Sequence, residues 1–341
     1  MSRAVPFSIL DLAPVGEGQT ISAAIENSKA VARCAEASGY QRLWLAEHHG
    51  MRGVASAATA VMLAAIGNET KHIRIGAGGV MLPNHAPLVI AEQFGTLAAL
   101  FPGRVELGLG RAPGTDMATA RALRRNLQGD VDSYPADVTE LQRYFAPDDE
   151  NKRLLAVPGV GSEVPLWLLG SSLYSAQLAG QMGLPFSFAS HFAPDMLLDA
   201  ISLYKANFKP SAQFAAPYVS AGVMASVADT QQEAEYHFTS AQLKFADLRQ
   251  GANRAFPEPV NDLSAYLYEN EQRMINHTLK YAVVGDKATA EAKLAHFIAA
   301  TGVDEVILSF PIHDIQARLK AISLTSELTN VMLTQSWANT P

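Results

Sequence analysis

The chain has 341 residues, with 26 Lys and Arg against 33 Asp and Glu, for a net charge of −7. That balance argues against an extended nucleic-acid or anionic-membrane surface, both of which need clustered Lys and Arg. No apolar run approaches the ~18–20 residues of a membrane helix. Charged residues make up only 17% and hydrophobic residues 48%, against about 25% charged in ordinary soluble domains, so a large buried core is expected. Cys34 is the only cysteine. No intrachain disulfide is therefore possible, and a reducing cytoplasm is the expected compartment.

Short apolar β-like runs alternate with helical patterns along the chain. Phe7 to Leu10 opens as a strand. Ile21, Ala24, Ile25, Ser28, Val31, Ala32 and Ala35 then share one helical face, closed by Gly39. Arg42 to His49 reads as a second strand, Ser56 to Gly67 as a helix and Ile73 to Leu82 as a third strand. Pro87 suits the first turn of a helix running to Phe101, and Val105 to Gly110 is a fourth strand. Residues 112–163 form an insertion with a helix near Val138 to Phe145. Leu166 to Leu169, Phe186 to Ser190, Tyr218 to Val227 and Glu305 to Phe310 complete the strands. Helices are expected over Pro194 to Phe208, Gln231 to Arg249, Thr289 to Thr301 and Ile315 to about Leu333, with a second insertion over 251–280.

Eight β/α repeats predict a (β/α)8 TIM barrel, a single domain over 1–341 with insertions after strands four and seven. An open doubly wound sheet is the alternative. The helices over 56–67 and 87–101 are apolar nearly all round, where a barrel helix should show a polar outer stripe. Either a partner subunit covers them, giving a homodimer, or an insertion does.

A barrel builds its site at the C-terminal strand ends, which selects four segments. Glu47-His48-His49 ends strand two. Alternation puts Trp44, Ala46 and His48 on one face and Glu47 and His49 on the other. Adjacent histidines that diverge argue against a shared metal and for a catalytic His48, or for a satisfied strand-end histidine. Gly76-Ala77-Gly78-Gly79 marks a bulge, a bend, or close approach of backbone to a flat ligand. Gly108-Leu109-Gly110-Arg111-Ala112-Pro113-Gly114 imitates a dinucleotide fingerprint. Its third glycine comes one place late, and Pro113 stands where the phosphate-binding helix should start, so that reading fails. Gly170-Ser171-Ser172 with Ser175 forms a small-residue turn into a helix N-terminus. That is an anion site or an ordinary serine cap. It lacks the second glycine of a nucleophile elbow.

Taken together and in order, these segments resemble the bacterial-luciferase-like family of flavin monooxygenases. The resemblance is carried by Trp44 to His49, Gly78 to Pro83, Gly103 to Arg111, Gly114-Thr115-Asp116-Met117 with Arg121, Gly170-Ser171-Ser172 with Ser175-Ala176, Gly183 to Phe186, Val284-Gly285 and Asp304-Glu305-Val306. It implies reduced FMN at the barrel mouth, dioxygen activated through a flavin 4a-hydroperoxide, and a small organic substrate. It further implies a non-prolyl cis peptide at Gly78-Gly79 beneath the flavin ring. His48 would act as general acid or base, with Glu47 or Arg111 orienting polar groups. Arg121 with Gly170, Ser171 and Ser172 would hold the FMN phosphate. Gly110 stands where the luciferases proper carry a cysteine, which points to the non-luminescent branch. No reductase module is evident, so a separate flavin reductase would supply reduced FMN. The rival readings are a deazaflavin-dependent oxidoreductase, a flavin-binding barrel without turnover, and a metal-dependent hydrolase.

Overall fold

In the computed structural model, residues 5–111, 117–123, 133–148 and 154–328 are described. The strands are β1 (Phe7–Asp11), β2 (Arg42–Leu45), β3 (Arg74–Met81), β4 (Val105–Gly110), β5 (Leu166–Gly170), β6 (Phe186–Phe188), β7 (Val219–Val227), β8 (Val283–Gly285) and β9 (Glu305–Ser309). The helices are α1 (Ile21–Ala37), α2 (Thr59–Glu69), α3 (Pro87–Leu100), α4 (Met117–Leu123), α5 (Tyr134–Phe145), α6 (Leu173–Met182), α7 (Leu197–Asn207), α8 (Gln231–Arg249), α9 (Glu269–Thr278), α10 (Lys287–Thr301) and α11 (Ile315–Ser326).

Eight of these strands close a parallel barrel. β1 to β7 pair in sequence order, β7 pairs β9, and β9 returns to β1. The fold is therefore the expected (β/α)8 barrel. Continuous apolar strands suit it, because a parallel barrel buries both faces of each strand. The ninth strand, β8, was not expected. It pairs only with the last three residues of β7, Ala225 to Val227, beyond the stretch where β7 meets β9. Three residues are too few to show a period, which is why the pattern did not reveal it.

Two expected boundaries shift for local reasons. β2 stops at Leu45 rather than His49. Past it, the Ala46 carbonyl accepts from Ser56 Oγ at 2.5 Å instead of from a neighbouring strand. Helix α1 buries Ala24, Ser28, Val31, Ala32 and Ala35 as the spacing requires, but Ile21 in its first turn is exposed. Thr20 caps this helix by accepting from Ala23 N–H. The insertions hold α4 and α5 after β4, and α9 after β7 and α8. Gly114-Thr115-Asp116 lie outside the described residues; the last helix, expected to run to about Leu333, ends at Ser326 with Glu327 as its C-cap.

The two apolar helices meet different surroundings. α3 is partly covered by the first insertion: a Cβ on Gly95 would stand 2.2 Å from Gly159 Cα. Val61 of α2 and Val89 and Leu100 of α3 remain exposed, at 72%, 45% and 58%.

The N-terminal end of the barrel interior is closed by charge. Arg42 is buried at the start of β2. Its Nη1 donates to Glu106 Oε2 at 2.7 Å, and its Nε lies 2.9 Å from Glu305 Oε1. Arg74 and the Trp44 indole N–H also donate to Glu106, at 3.1 and 3.3 Å. Tyr218 and Ser8 donate to Glu305. The guanidinium stacks 4.6 Å from the Trp167 ring centroid. Burial opposes the Arg42 charge, but Glu106 and Glu305 outweigh it and raise its pKa.

Candidate functional site

Above this plug, a cavity of about 860 Å³ opens at the C-terminal strand ends. That is toward the upper end of the range for small-molecule sites, about 300–1,000 Å³. Most of its wall is apolar, including Trp44, Phe188, Phe192 and Phe245. Every expected site residue except Arg121 lines it: Glu47, His48, Gly78, Gly79, Gly110, Arg111, Gly170, Ser171, Ser172 and Ser175. Arg121 sits exposed on α4 and does not line the cavity among the described residues.

One wall is glycine. The Gly78–Gly79 peptide is cis, as the resemblance implied, and the β3–β4 register shifts between Ala77 and Val80. These glycines leave no room for side chains. A Cβ on Gly78 would come within 2.9 Å of Leu10 and Trp44 side chains, and one on Gly79 within 2.7 Å of Gly108 O. Gly110 is open on its cavity side, with nothing nearer than Val80 O at 3.8 Å.

The next wall is an anion end. Ser172 takes the N-cap position of α6, yet its side chain makes no capping hydrogen bond. An ordinary serine cap is therefore not what this turn builds, and the first-turn N–H groups keep their donors. Ser175 Oγ has no partner among the described residues and borders the cavity. Arg111 was expected among the catalytic groups. It lines the cavity and stacks over Tyr174, 4.2 Å from the ring centroid, in the first turn of the same helix. A cation, a positive helix end and hydroxyls thus converge.

The third feature is the Glu47 clamp. Glu47 is buried, and its Oε1 accepts from His49 Nε2 at 2.7 Å and His85 Nε2 at 2.8 Å. Its Oε2 accepts from Met81 N–H at 3.3 Å. Burial pushes its pKa up, but the hydrogen bonds and charges of His85 and His49 win and hold it below the usual carboxylate range. Glu47 thus ties the segment after β2 to the end of β3 and to His85. These three side chains are the one metal-ligating combination among the described residues, with ligand atoms within 4.8 Å. Their separations are those of hydrogen bonds, and both Glu47 oxygens are already accepting. His48, like Glu47, lines the cavity. Burial, reinforced by His49 and opposed by Glu47, lowers its pKa.

His191 also lines the cavity and was not singled out in the sequence. It lies three residues past β6, so the strand-end rule carried the signal. Burial, then the nearby His48, pushes its pKa down to about 4. The sign of its effect on stability follows. The unfolded chain takes up this proton near pH 6.5, whereas the folded chain does not until about pH 4. Stability should therefore fall as pH drops through that window. Denaturant midpoints across it should fall less for His191→Phe, and an NMR titration with a midpoint above pH 6 would refute the assignment.

The sequence profile of the luciferase-like monooxygenase family matches residues 5–305. The chain belongs to that family. A luciferase-like monooxygenase of Escherichia coli (strain K12) is 48% identical, over 97% of this chain and 99% of its own. The solved structure of apo-MsnO8 superposes with a TM-score of 0.85 at 31% identity, covering 97% of this chain and 100% of its own. The oxygenating constituent of a 3,6-diketocamphane monooxygenase from Pseudomonas putida, solved in complex with FMN, shares the fold with a TM-score of 0.71 at 16% identity. It covers 97% of this chain and 99% of its own. Membership makes the protein an enzyme of the monooxygenase class. No helix among the described residues is long and apolar enough to cross a membrane.

Proposed function

We propose that the protein uses reduced FMN and dioxygen to oxygenate a small organic substrate within the barrel cavity. The observation that carries this reading is the pairing of the glycine wall with the anion end in one cavity. The two features fit the two ends of FMN: backbone without side chains for a flat ring, and Arg111 with Ser171, Ser172, Ser175 and the α6 N-terminus for a phosphate. Solved proteins of this fold hold FMN in one case and an F420-acetone adduct in another.

Bound reduced FMN would supply the electrons that activate dioxygen. The chain's own part is to hold that cofactor, exclude water and manage protons. Apolar walls around Trp44, Phe188 and Phe310 do the second. His48, with Nδ1 buried and unpartnered, presents its other nitrogen to the cavity. A separate flavin reductase is the proposed source of reduced FMN. A homodimer covering Val61, Val89 and Leu100 is proposed for the outer faces of α2 and α3.

The test begins with binding. FMN and reduced FMN titrated into the protein should quench or shift flavin fluorescence, and F420 should bind more weakly. Gly170→Val should cut FMN affinity at least about tenfold. A Cβ there already meets Ser175 Oγ at 2.3 Å, so the serine is displaced and one phosphate hydrogen bond of about 1.5–3 kcal/mol is lost. An unchanged FMN affinity would overturn the placement of the phosphate. With a flavin reductase present, oxygen uptake should rise above the free-flavin rate only when substrate is added. Uptake no greater than that of free flavin, with every compound of a broad substrate panel, would reject the monooxygenase reading.

A further inference from the structure

Three aromatic rings run in contact from the cavity down to the ionic plug. Trp44 lines the cavity, and a Cβ on Gly78 would come within 2.9 Å of its side chain. The Trp44 and Trp167 rings meet edge to face, with centroids 5.0 Å apart. Trp167 meets Tyr218 in the same way, at 5.6 Å. All three are buried in one apolar cluster with Leu10 and Ile307. Edge-to-face pairs are ordinary aromatic packing. What sets this series apart is its last hydrogen bond, from the Tyr218 hydroxyl to Glu305 Oε2 at 2.8 Å.

The charges beside the rings give the series a direction. The Arg42 guanidinium lies 5.7 Å from the Trp44 centroid and 4.6 Å from that of Trp167. A positive charge left on either ring by loss of an electron is therefore disfavoured. The Trp44 indole N–H faces Glu106 Oε2 at 3.3 Å, but that oxygen already accepts from Arg42 at 2.7 Å. Tyr218 is better placed to give up a proton. Its hydroxyl is within transfer reach of Glu305 Oε2, while Arg42 and Ser8 meet the other oxygen, Oε1. Burial first, then the charge of Glu305, raises the Tyr218 pKa, so the phenol keeps its proton until an electron leaves. A phenol that loses both is left uncharged, as a buried site favours.

We infer that Trp44, Trp167 and Tyr218 form an electron relay that repairs one-electron oxidation in the cavity. The oxidant is an oxygen-centred radical, formed there when dioxygen chemistry goes uncoupled from the substrate. It takes one electron from Trp44 and becomes the corresponding anion. Trp167 refills Trp44, and Tyr218 refills Trp167. The phenolic proton of Tyr218 passes to Glu305 Oε2, so the relay ends as a neutral tyrosyl radical beside a protonated carboxyl. A small reductant such as ascorbate, reaching the 7% of Tyr218 that stays exposed, returns one electron, and Glu305 returns the proton. The inference rests on the reading that dioxygen is activated in this cavity.

The test is laser flash photolysis of the full-length protein carrying Trp337→Phe, which leaves Trp44 and Trp167 as its tryptophans. An ultraviolet flash ejects an electron from indole and needs no flavin. Tryptophanyl absorbance should then decay while tyrosyl absorbance grows, at a rate independent of protein concentration. Tyr218→Phe and, separately, Trp167→Phe should lose this delayed growth, and Tyr281→Phe should keep it. Glu305→Gln should slow it at least about tenfold, for want of a base. If the wild-type relay shows no delayed growth, or Tyr218→Phe retains it, or Glu305→Gln leaves its rate unchanged, the inference is refuted. With oxidised FMN bound, a visible flash excites the flavin alone. It should give the same delayed signal, lost in Trp44→Phe. Ultraviolet-driven growth without the FMN-driven signal would leave the relay standing and overturn the flavin reading of the glycine wall. Quenching of FMN fluorescence with no tyrosyl growth under either flash would do the reverse.

Discussion

Replacing Arg42 with methionine should lower the unfolding free energy by about 3–5 kcal/mol, the usual penalty for removing one partner of a buried ion pair. Arg42 is the bridge between Glu106 and Glu305 at the closed end of the barrel. Without it, Glu106 keeps Arg74, but Glu305 keeps only the Tyr218 and Ser8 hydroxyls. Two buried carboxylates then share an apolar pocket beneath Trp44 and Trp167. Two controls separate this cause from simple loss of packing. The triple variant Arg42→Met, Glu106→Leu, Glu305→Leu should be less damaged than the single one, because no charge is left unpaired. The single variant should also lose less at acidic pH, where a carboxylate can take up a proton and shed its charge. Guanidinium unfolding at two pH values checks both. A loss below about 1 kcal/mol, or a triple variant worse than the single, would show that the network is not what holds this end together.

The second large effect is expected at Gly108. An alanine methyl there would lie 2.4 Å from Ala77 O and 2.7 Å from Leu169 Cδ1. The first of these is backbone and cannot step aside. The contact is one of a series along the β3–β4 seam: a Cβ on Gly76 would meet Glu106 O at 2.4 Å, and one on Gly79 would meet Gly108 O at 2.7 Å. Overpacking a core usually costs about 1–3 kcal/mol. With neither strand free to move inside a closed barrel, Gly108→Ala should reach the top of that range and loosen the glycine wall proposed to face the flavin as well. The expected result is a lower thermal midpoint together with reduced FMN affinity. Gly103→Ala is not a neutral control, since its φ is +73°. Gly110→Ala is the informative one for the wall, because its Cβ would meet nothing closer than 3.8 Å. It should retain stability. A Gly108→Ala protein as stable as the wild type would mean that β3 and β4 can slide apart, against the geometry described.

How much of this was legible beforehand depended on range. Seven-residue and longer patterns, such as the face of α1, and apolar runs such as Leu166 to Leu169 are written locally, and the barrel follows from their alternation. The glycine run at 76–79 and the small-residue turn at 170–175 are also local, and both line the cavity. The plug was not legible. Arg42, Glu106 and Glu305 are separated by 64 and 199 positions, and no local pattern pairs them. His85 escaped for the same reason: it meets Glu47 only because β3 lies beside β2. His191 is different. Its position directly after the expected strand end at Ser190 was available and was not used, although β6 itself stops at Phe188. Arg111 was found in sequence, but its stacking on Tyr174 was not, since that contact requires β4 and β5 to be adjacent.

The ionic plug has a consequence for turnover. A barrel sealed at its base is a blind well, and traffic can use only the rim. Two molecules that share such a well cannot pass each other. The one seated deeper stays until the one above it has gone, so the order of arrival sets the order of departure in reverse. For the flavin and substrate proposed above, exchange in sequence would then follow from an Arg and two Glu at the closed end of the barrel.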